Sequence, residues 1–242
     1  MLVDNKFIYL SLPRCASTSF YITCLKNNLD ISHHDEPLFG KWNVNLDLTL
    51  DNETIADKIV HAHERITDLR KKFGYQYDII SVRRNRYERF ISLWKHVIDL
   101  VNDRYPSNVT DILRGIKLEN LFFYKKEDLI SDTTKMEVLN KFFKDNGLVE
   151  YQDWYMMTMI YILINPTSHW HNNDSSIIWF EFDKMYELED WVSTKLNKEF
   201  KLEKSNGSQH FECNIEMNQE FIDTYDNIYN FYDYPKQTKT LL

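Results

Sequence analysis

An α/β fold is predicted for this chain: a central, mainly parallel sheet in a three-layer arrangement with helices on both faces. Three observations predict it. Short runs rich in aromatic and β-branched residues occur at Lys6 to Leu12 (KFIYLSL), Tyr77 to Val82 (YDIISV) and Ile177 to Phe182 (IIWFEF). Longer stretches with apolar residues at helical spacing separate them. Strands that alternate with helices imply parallel pairing through crossover connections. The length of 242 residues fits one domain, 1–242, with a helical insertion at roughly 105–172.

Each element has a local reason. Lys6 to Leu12 reads as a buried strand, which Pro13 ends. Ser17, Thr18 and Ser19 supply N-cap chemistry for a helix running to about Leu25. Residues 28–57 are polar and irregular and receive no element. Ile59 to Ala62 reads as a second short strand and Tyr77 to Val82 as a third. Tyr87, Phe90, Ile91, Trp94, Val97, Ile98 and Val101 then follow helical spacing, which makes them the core stripe of a long amphipathic helix. The stretch 105–172 reads as mainly helical, with apolar patches at 111–123, 137–143 and 154–164. Ile177 to Phe182 is a strand, Met185 to Leu196 a helix, and roughly 216–232 the last helix. With only five glycines in the chain, turns fall mostly to Asn, Asp, Ser and Pro.

Composition narrows the function. At 43% hydrophobic and 15% aromatic the chain has enough apolar surface to fold. A net charge of −8 disfavours a general nucleic-acid binder. Against that acidic background Arg83, Arg84, Arg86 and Arg89 fall within seven residues. Such a patch fits a small anionic ligand, though a solvated helix face would read the same way. Cys15, Cys24 and Cys213 make no disulfide framework, so a reducing compartment is expected. No signal peptide is visible. The apolar run from Phe7 reaches Pro13 far too soon to span a bilayer, so a soluble cytoplasmic protein without a membrane partner is expected.

Two strand-to-helix junctions carry the chemistry. After the first strand comes Pro13-Arg14-Cys15-Ala16-Ser17-Thr18-Ser19. A tight turn into a helix start directs several N–H groups at one point, and the helix dipole adds positive potential there. Arg14 adds a permanent charge and the three hydroxyls add donors. The set suits a phosphate or sulfate, although an ordinary Ser/Thr helix cap would use the same residues. The Walker pattern GxxxxGK[ST] is absent, which counts against a nucleotide kinase.

LPRCASTSF resembles the 5′-phosphosulfate loop of sulfotransferases that use 3′-phosphoadenosine 5′-phosphosulfate (PAPS), commonly PKxGSTS or PKxASTS. It departs in having Arg14 where that family usually has Lys, which keeps the charge but makes a poor proton donor. The second junction, Arg84-Asn85-Arg86-Tyr87-Glu88-Arg89-Phe90-Ile91-Ser92, resembles the family's 3′-phosphate motif RNPYERFIS, with Arg86 in place of Pro. The resemblance implies a P-loop-NTPase-like fold. It also implies that Arg14, Cys15, Ala16, Ser17, Thr18 and Ser19 hold the 5′-phosphosulfate, and that Arg84 and Ser92 hold the 3′-phosphate. Arg83 replaces Arg84 if the register slips by one. Glu88 and Arg89 are read as structural.

Sulfuryl transfer to a hydroxyl also needs a base. Val60-His61-Ala62-His63 lies between the two motifs, and its HxH pattern resembles the HGH element of heparan sulfate and uronyl 2-O-sulfotransferases. That likeness implies His63 as base, His61 assisting, and a saccharide acceptor, with other hydroxyl-bearing small molecules as alternatives. Glu64 is a rival base, and His169 and His171, in the polar stretch SHWHNND, are further candidates. No metal is expected. Two other readings stay open: a protein that binds PAPS or its product PAP without turnover, and a nucleotide kinase on a related fold.

Overall fold

A computed structural model of the chain describes residues 1–32, 64–116, 121, 132–152, 154–203 and 218–229. These fall into two compact units, one drawn from 1–85 and 167–205 and the other from 86–166 and 206–233. The expected strand Ile59 to Ala62, and with it His61 and His63, lies outside the described residues. In chain order the strands are β1 (Leu2–Val3), β2 (Phe7–Leu10), β3 (Ile31–Ser32), β4 (Asp78–Arg83) and β5 (Ile177–Glu181). The helices among the described residues are α1 (Ser17–Lys26), α2 (Ile66–Phe73), α3 (Arg86–Arg104), α4 (Ser107–Gly115), α5 (Asp132–Asp145), α6 (Trp154–Ile164), α7 (Ser168–His171), α8 (Met185–Leu196) and α9 (Gln219–Tyr229).

The first unit holds the sheet, in the order β3-β1-β2-β4-β5. The three strands read from apolar runs form its parallel core, with Leu10 opposite Ser81 and Ser81 opposite Trp179. The sheet is nevertheless mixed, because β1 pairs antiparallel with both β2 and β3. Strands of two residues are too short to show any alternation. Their turn is legible only in the pair Asp4-Asn5, whose φ of 50° and 51° puts both residues in the left-handed region. Lys6 N–H then donates to Val3 O at 2.9 Å, which closes the reversal.

All four residues of β2 are buried, because helices cover both faces of the sheet. On one face Tyr9 stacks on Phe20 of α1, with ring centroids 3.9 Å apart and planes 6° from parallel. Phe7 and Phe180 both make T-shaped contacts with Trp191 of α8, at 5.2 and 6.2 Å. Trp179, one residue before the buried Phe180, turns the other way and meets His171 of α7 at 5.3 Å. The buried Arg70 of α2 donates to Tyr77 O at 3.3 Å and to Ser176 Oγ at 2.6 Å, tying the end of α2 to the starts of β4 and β5.

The second unit is helical. The stripe expected on α3 is buried at Phe90, Trp94, Val97, Ile98 and Val101. Phe90 packs against Phe221 and Tyr225 of α9 at 5.8 and 5.7 Å, and Tyr229 Oη donates to Ile164 O at 2.9 Å. Helices α4, α5 and α6 lie in the stretch read as a helical insertion. No helix among the described residues is long and apolar enough to cross a membrane.

Candidate functional site

In the first unit β2 and β4 are parallel neighbours, so their carboxyl ends lie side by side. Ser81 Oγ donates to Leu10 O at 2.7 Å and fastens the two strands just before each leaves the sheet. Ligands of open α/β sheets bind beyond this edge. The loop after β2 carries Arg14, and the residue after β4 is Arg84.

The loop has an unusual backbone. Arg14 and Ala16 have φ of 62° and 61°. Among the described residues eight non-glycine residues have positive φ, and six of them are Asn or Asp. The two exceptions are this Arg and this Ala. Each left-handed residue with a Cβ costs on the order of 1 kcal/mol or more. Glycine, which the resembled motif often carries at the position of Ala16, takes this φ freely. Helix α1 begins at Ser17 with Ala16 as its N-cap, and no side chain caps it. Ser17, Thr18 and Ser19 therefore sit in the first helical turn, where the sequence had them as caps. The N–H groups of Ser17 and Thr18 have no acceptor inside the helix and lie at its positive end.

The loop is braced from beneath. Tyr9 Oη donates to Cys15 O at 3.2 Å, and Cys15 N–H donates to Leu12 O at 3.2 Å. Burial holds the Tyr9 phenol well above its usual pKa, so it stays protonated and donates. The Cys15 side chain is fully buried, which leaves the half-exposed Arg14 and the hydroxyls of Thr18 and Ser19 as the accessible groups.

The arginine cluster does not form one patch. Arg83 ends β4 opposite Glu181, and its Nε donates to Glu181 Oε1 at 2.6 Å while Nη2 reaches the same oxygen. Arg84 instead lies over the Phe182 ring, its guanidinium carbon 4.6 Å from the centroid. In the second unit Arg86 is 2.7 Å from Asp226, and its Nη2 also donates to Tyr87 Oη at 2.9 Å. Tyr87 Oη in turn donates to Asp226 Oδ1 at 2.8 Å. Desolvation raises the Tyr87 phenol pKa, against the pull of Arg86. Arg89 is 1% exposed, as a structural residue would be, and Ser92 lies on the buried side of α3 at 8% exposure. Two of the four charges are thus neutralised by carboxylates and a third is interior. The sequence cannot show this, because Glu181 and Asp226 lie far along the chain.

The histidine candidates divide. Arg65, the N-cap of α2, donates from Nε to His169 Nε2 at 3.2 Å. A guanidinium does not accept hydrogen bonds, so His169 accepts at Nε2 and a neutral ring carries its proton on Nδ1. Nε2 is therefore engaged and is not poised as a base. His171 is fully buried, and its Nδ1 accepts from Asn173 N–H at 2.9 Å. The stretch read as a polar loop is in fact the single turn α7, with Trp170 and His171 turned inward. Sequence reasoning passed over Tyr9, Glu181 and Phe182; the only signal for the last two was their place at the end of an apolar strand.

No family model, curated protein or solved structure matches this chain.

Proposed function

We propose that the chain is a sulfotransferase that passes a sulfuryl group from PAPS to a hydroxyl, preferably on a saccharide. The observation that supports it most is the adjacency of β2 and β4. Two anion-type junctions leave the same sheet edge from neighbouring parallel strands, joined by the Ser81–Leu10 bond. The left-handed residues Arg14 and Ala16, with the N–H groups of Ser17 and Thr18 at the positive end of α1, make a donor set that fits an anion.

In this reading the donor, when bound, supplies the activated sulfuryl group. Arg14, the amides of Ser17 and Thr18 and the hydroxyls of Thr18 and Ser19 hold its 5′ end, and Arg84 takes the 3′-phosphate. The acceptor oxygen attacks sulfur as the bond from sulfur to the bridging phosphate oxygen breaks. His63 takes the hydroxyl proton. Arg14 stabilises the negative charge that develops on the departing phosphate, by charge alone and without giving up a proton. The Arg at this position also favours a second reading, a nucleotide-binding protein without turnover.

Titration calorimetry with PAP and with adenosine 5′-phosphate, on the native protein and Arg84→Ala, tests the nucleotide site. Tight PAP binding, lost without the 3′-phosphate or the arginine, supports the proposal. Equal binding of both nucleotides ends it. Transfer to a saccharide panel, abolished by His63→Ala while PAP still binds, separates the enzyme from the silent binder.

A further inference from the structure

The last rung of the β4–β5 pair joins Arg83 to Glu181 at the carboxyl edge of the sheet. Arg83 Nε and Nη2 both donate to Glu181 Oε1, so a single carboxylate oxygen takes both bonds. Among the described residues no donor reaches the other oxygen, Oε2. The arginine side chain is 15% exposed and the glutamate side chain 37%, so the acid is the outward partner. An ionised carboxylate accepts on both oxygens. The pair therefore fixes the carboxylate and leaves it one acceptor.

The face of the sheet decides what that acceptor can meet. Side chains alternate along a strand, so Glu181 shares its face with Trp179, two residues back. Trp179 meets His171 of α7, and His169 of α7 accepts from Arg65, the N-cap of α2. Helix α2 therefore starts on the face of Glu181, and the chain enters it from His63, two residues before Arg65. The opposite face carries Tyr9, in register with Ile80 and Ile178, and Tyr9 stacks on Phe20 of α1. The anion loop thus leads into a helix on one face, and Glu181 stands on the other. In an in-line displacement the attacking oxygen enters opposite the leaving one.

We infer that Glu181 binds the acceptor: its Oε2 takes a hydrogen bond from a saccharide hydroxyl other than the one sulfated, while Arg83 holds the carboxylate in place. This rests on the transfer reading proposed above.

The test uses methyl glucoside, methyl galactoside and methyl mannoside, with their monodeoxy analogues, as acceptors. PAP and adenosine 5′-phosphate are titrated in parallel. Native protein, Glu181→Ala and Glu181→Gln are compared after thermal melts establish that all are folded. For the best acceptor, Glu181→Ala is expected to raise KM about tenfold to a hundredfold, the range of a hydrogen bond to a charged group, with kcat and PAP affinity within about threefold. Glu181→Gln, which keeps a neutral acceptor oxygen, falls between. One monodeoxy analogue should show the same loss on the native protein but less than about a twofold further loss on Glu181→Ala, a selectivity that a merely structural role would not give. If every analogue loses alike on native protein and variant, or if Glu181→Ala costs only kcat or PAP affinity, the inference is overturned and the transfer reading stands. If PAP is preferred but no saccharide accepts the sulfuryl group, the inference falls and the silent binder is favoured. If PAP is not preferred over adenosine 5′-phosphate, both the inference and the reading beneath it fall.

Discussion

Replacing Tyr9 with Phe deletes one oxygen from a fully buried site and keeps the ring. The stack on Phe20, at 3.9 Å and 6°, is retained, so the lost interaction is the bond from Tyr9 Oη to Cys15 O at 3.2 Å. A net hydrogen bond of this kind contributes about 1 kcal/mol. Tyr9→Phe should therefore lower stability by about 1 kcal/mol, read as a shift in urea midpoint with an unchanged slope. The loop that carries Arg14 hangs from that carbonyl, so PAP affinity should fall as well. The pH dependence gives a second reading. The folded phenol pKa is raised well above 10.0 by burial, so the unfolded chain ionises first. This contribution to stability is complete below pH 10.0 and declines above it, and the decline should be smaller in Tyr9→Phe. A variant as stable as the native protein, with the same alkaline profile, would refute the idea that the phenol braces the loop.

Arg83→Ala breaks a half-exposed ion pair with Glu181 and should cost less than about 1 kcal/mol, with PAP affinity unchanged within about twofold; a loss as large as that of Arg84→Ala in calorimetry would show that the wrong arginine was chosen. In the second unit, a double-mutant cycle of Tyr87→Phe and Asp226→Ala should give a coupling of about 0.5–1.5 kcal/mol by urea denaturation, given their 2.8 Å bond. Additive effects would mean that the bond contributes nothing in solution. Cys15 and Cys24 are buried, and burial raises the Cys24 thiol pKa, so neither should react with a thiol reagent at pH 8 in a folded Cys213→Ser background. Rapid labelling of either would mean that the α1 region opens readily. The same raised pKa predicts that Cys24 supports stability fully below pH 9.0, the ordinary thiol pKa, and less above it.

What the sequence disclosed depended on how local each signal was. The parallel strands β2, β4 and β5 announced themselves because strands buried on both faces must be continuous apolar runs. Helix α3 did so because one of its faces must be apolar at Phe90, Trp94, Val97 and Val101. The pairs β1 and β3 were invisible, since two residues carry no period. Within the site, the turn after β2 was legible from Pro13 and the hydroxyls that follow. The fate of the arginines was not, because it is decided by partners about a hundred residues away or more, Glu181 for Arg83 and Asp226 for Arg86. The same holds for His169, whose apparent freedom in a polar stretch disappears once Arg65 is beside it.

The left-handed backbone at Arg14 and Ala16 also sets which substitutions the loop can inherit. At position 16 the tolerated residues should be Gly, then Asn and Asp, with Val, Ile and Thr excluded because a branched Cβ cannot occupy φ near 61°. At position 14 the same geometry penalises β-branched side chains, while the unbranched Lys remains open at no added backbone cost. A saturation library selected only for folding would therefore already favour Gly at position 16 and unbranched chains at position 14. A pattern that looks chemical in this loop would in part be a record of its torsion angles, and selection for ligand binding would have to be measured above that background.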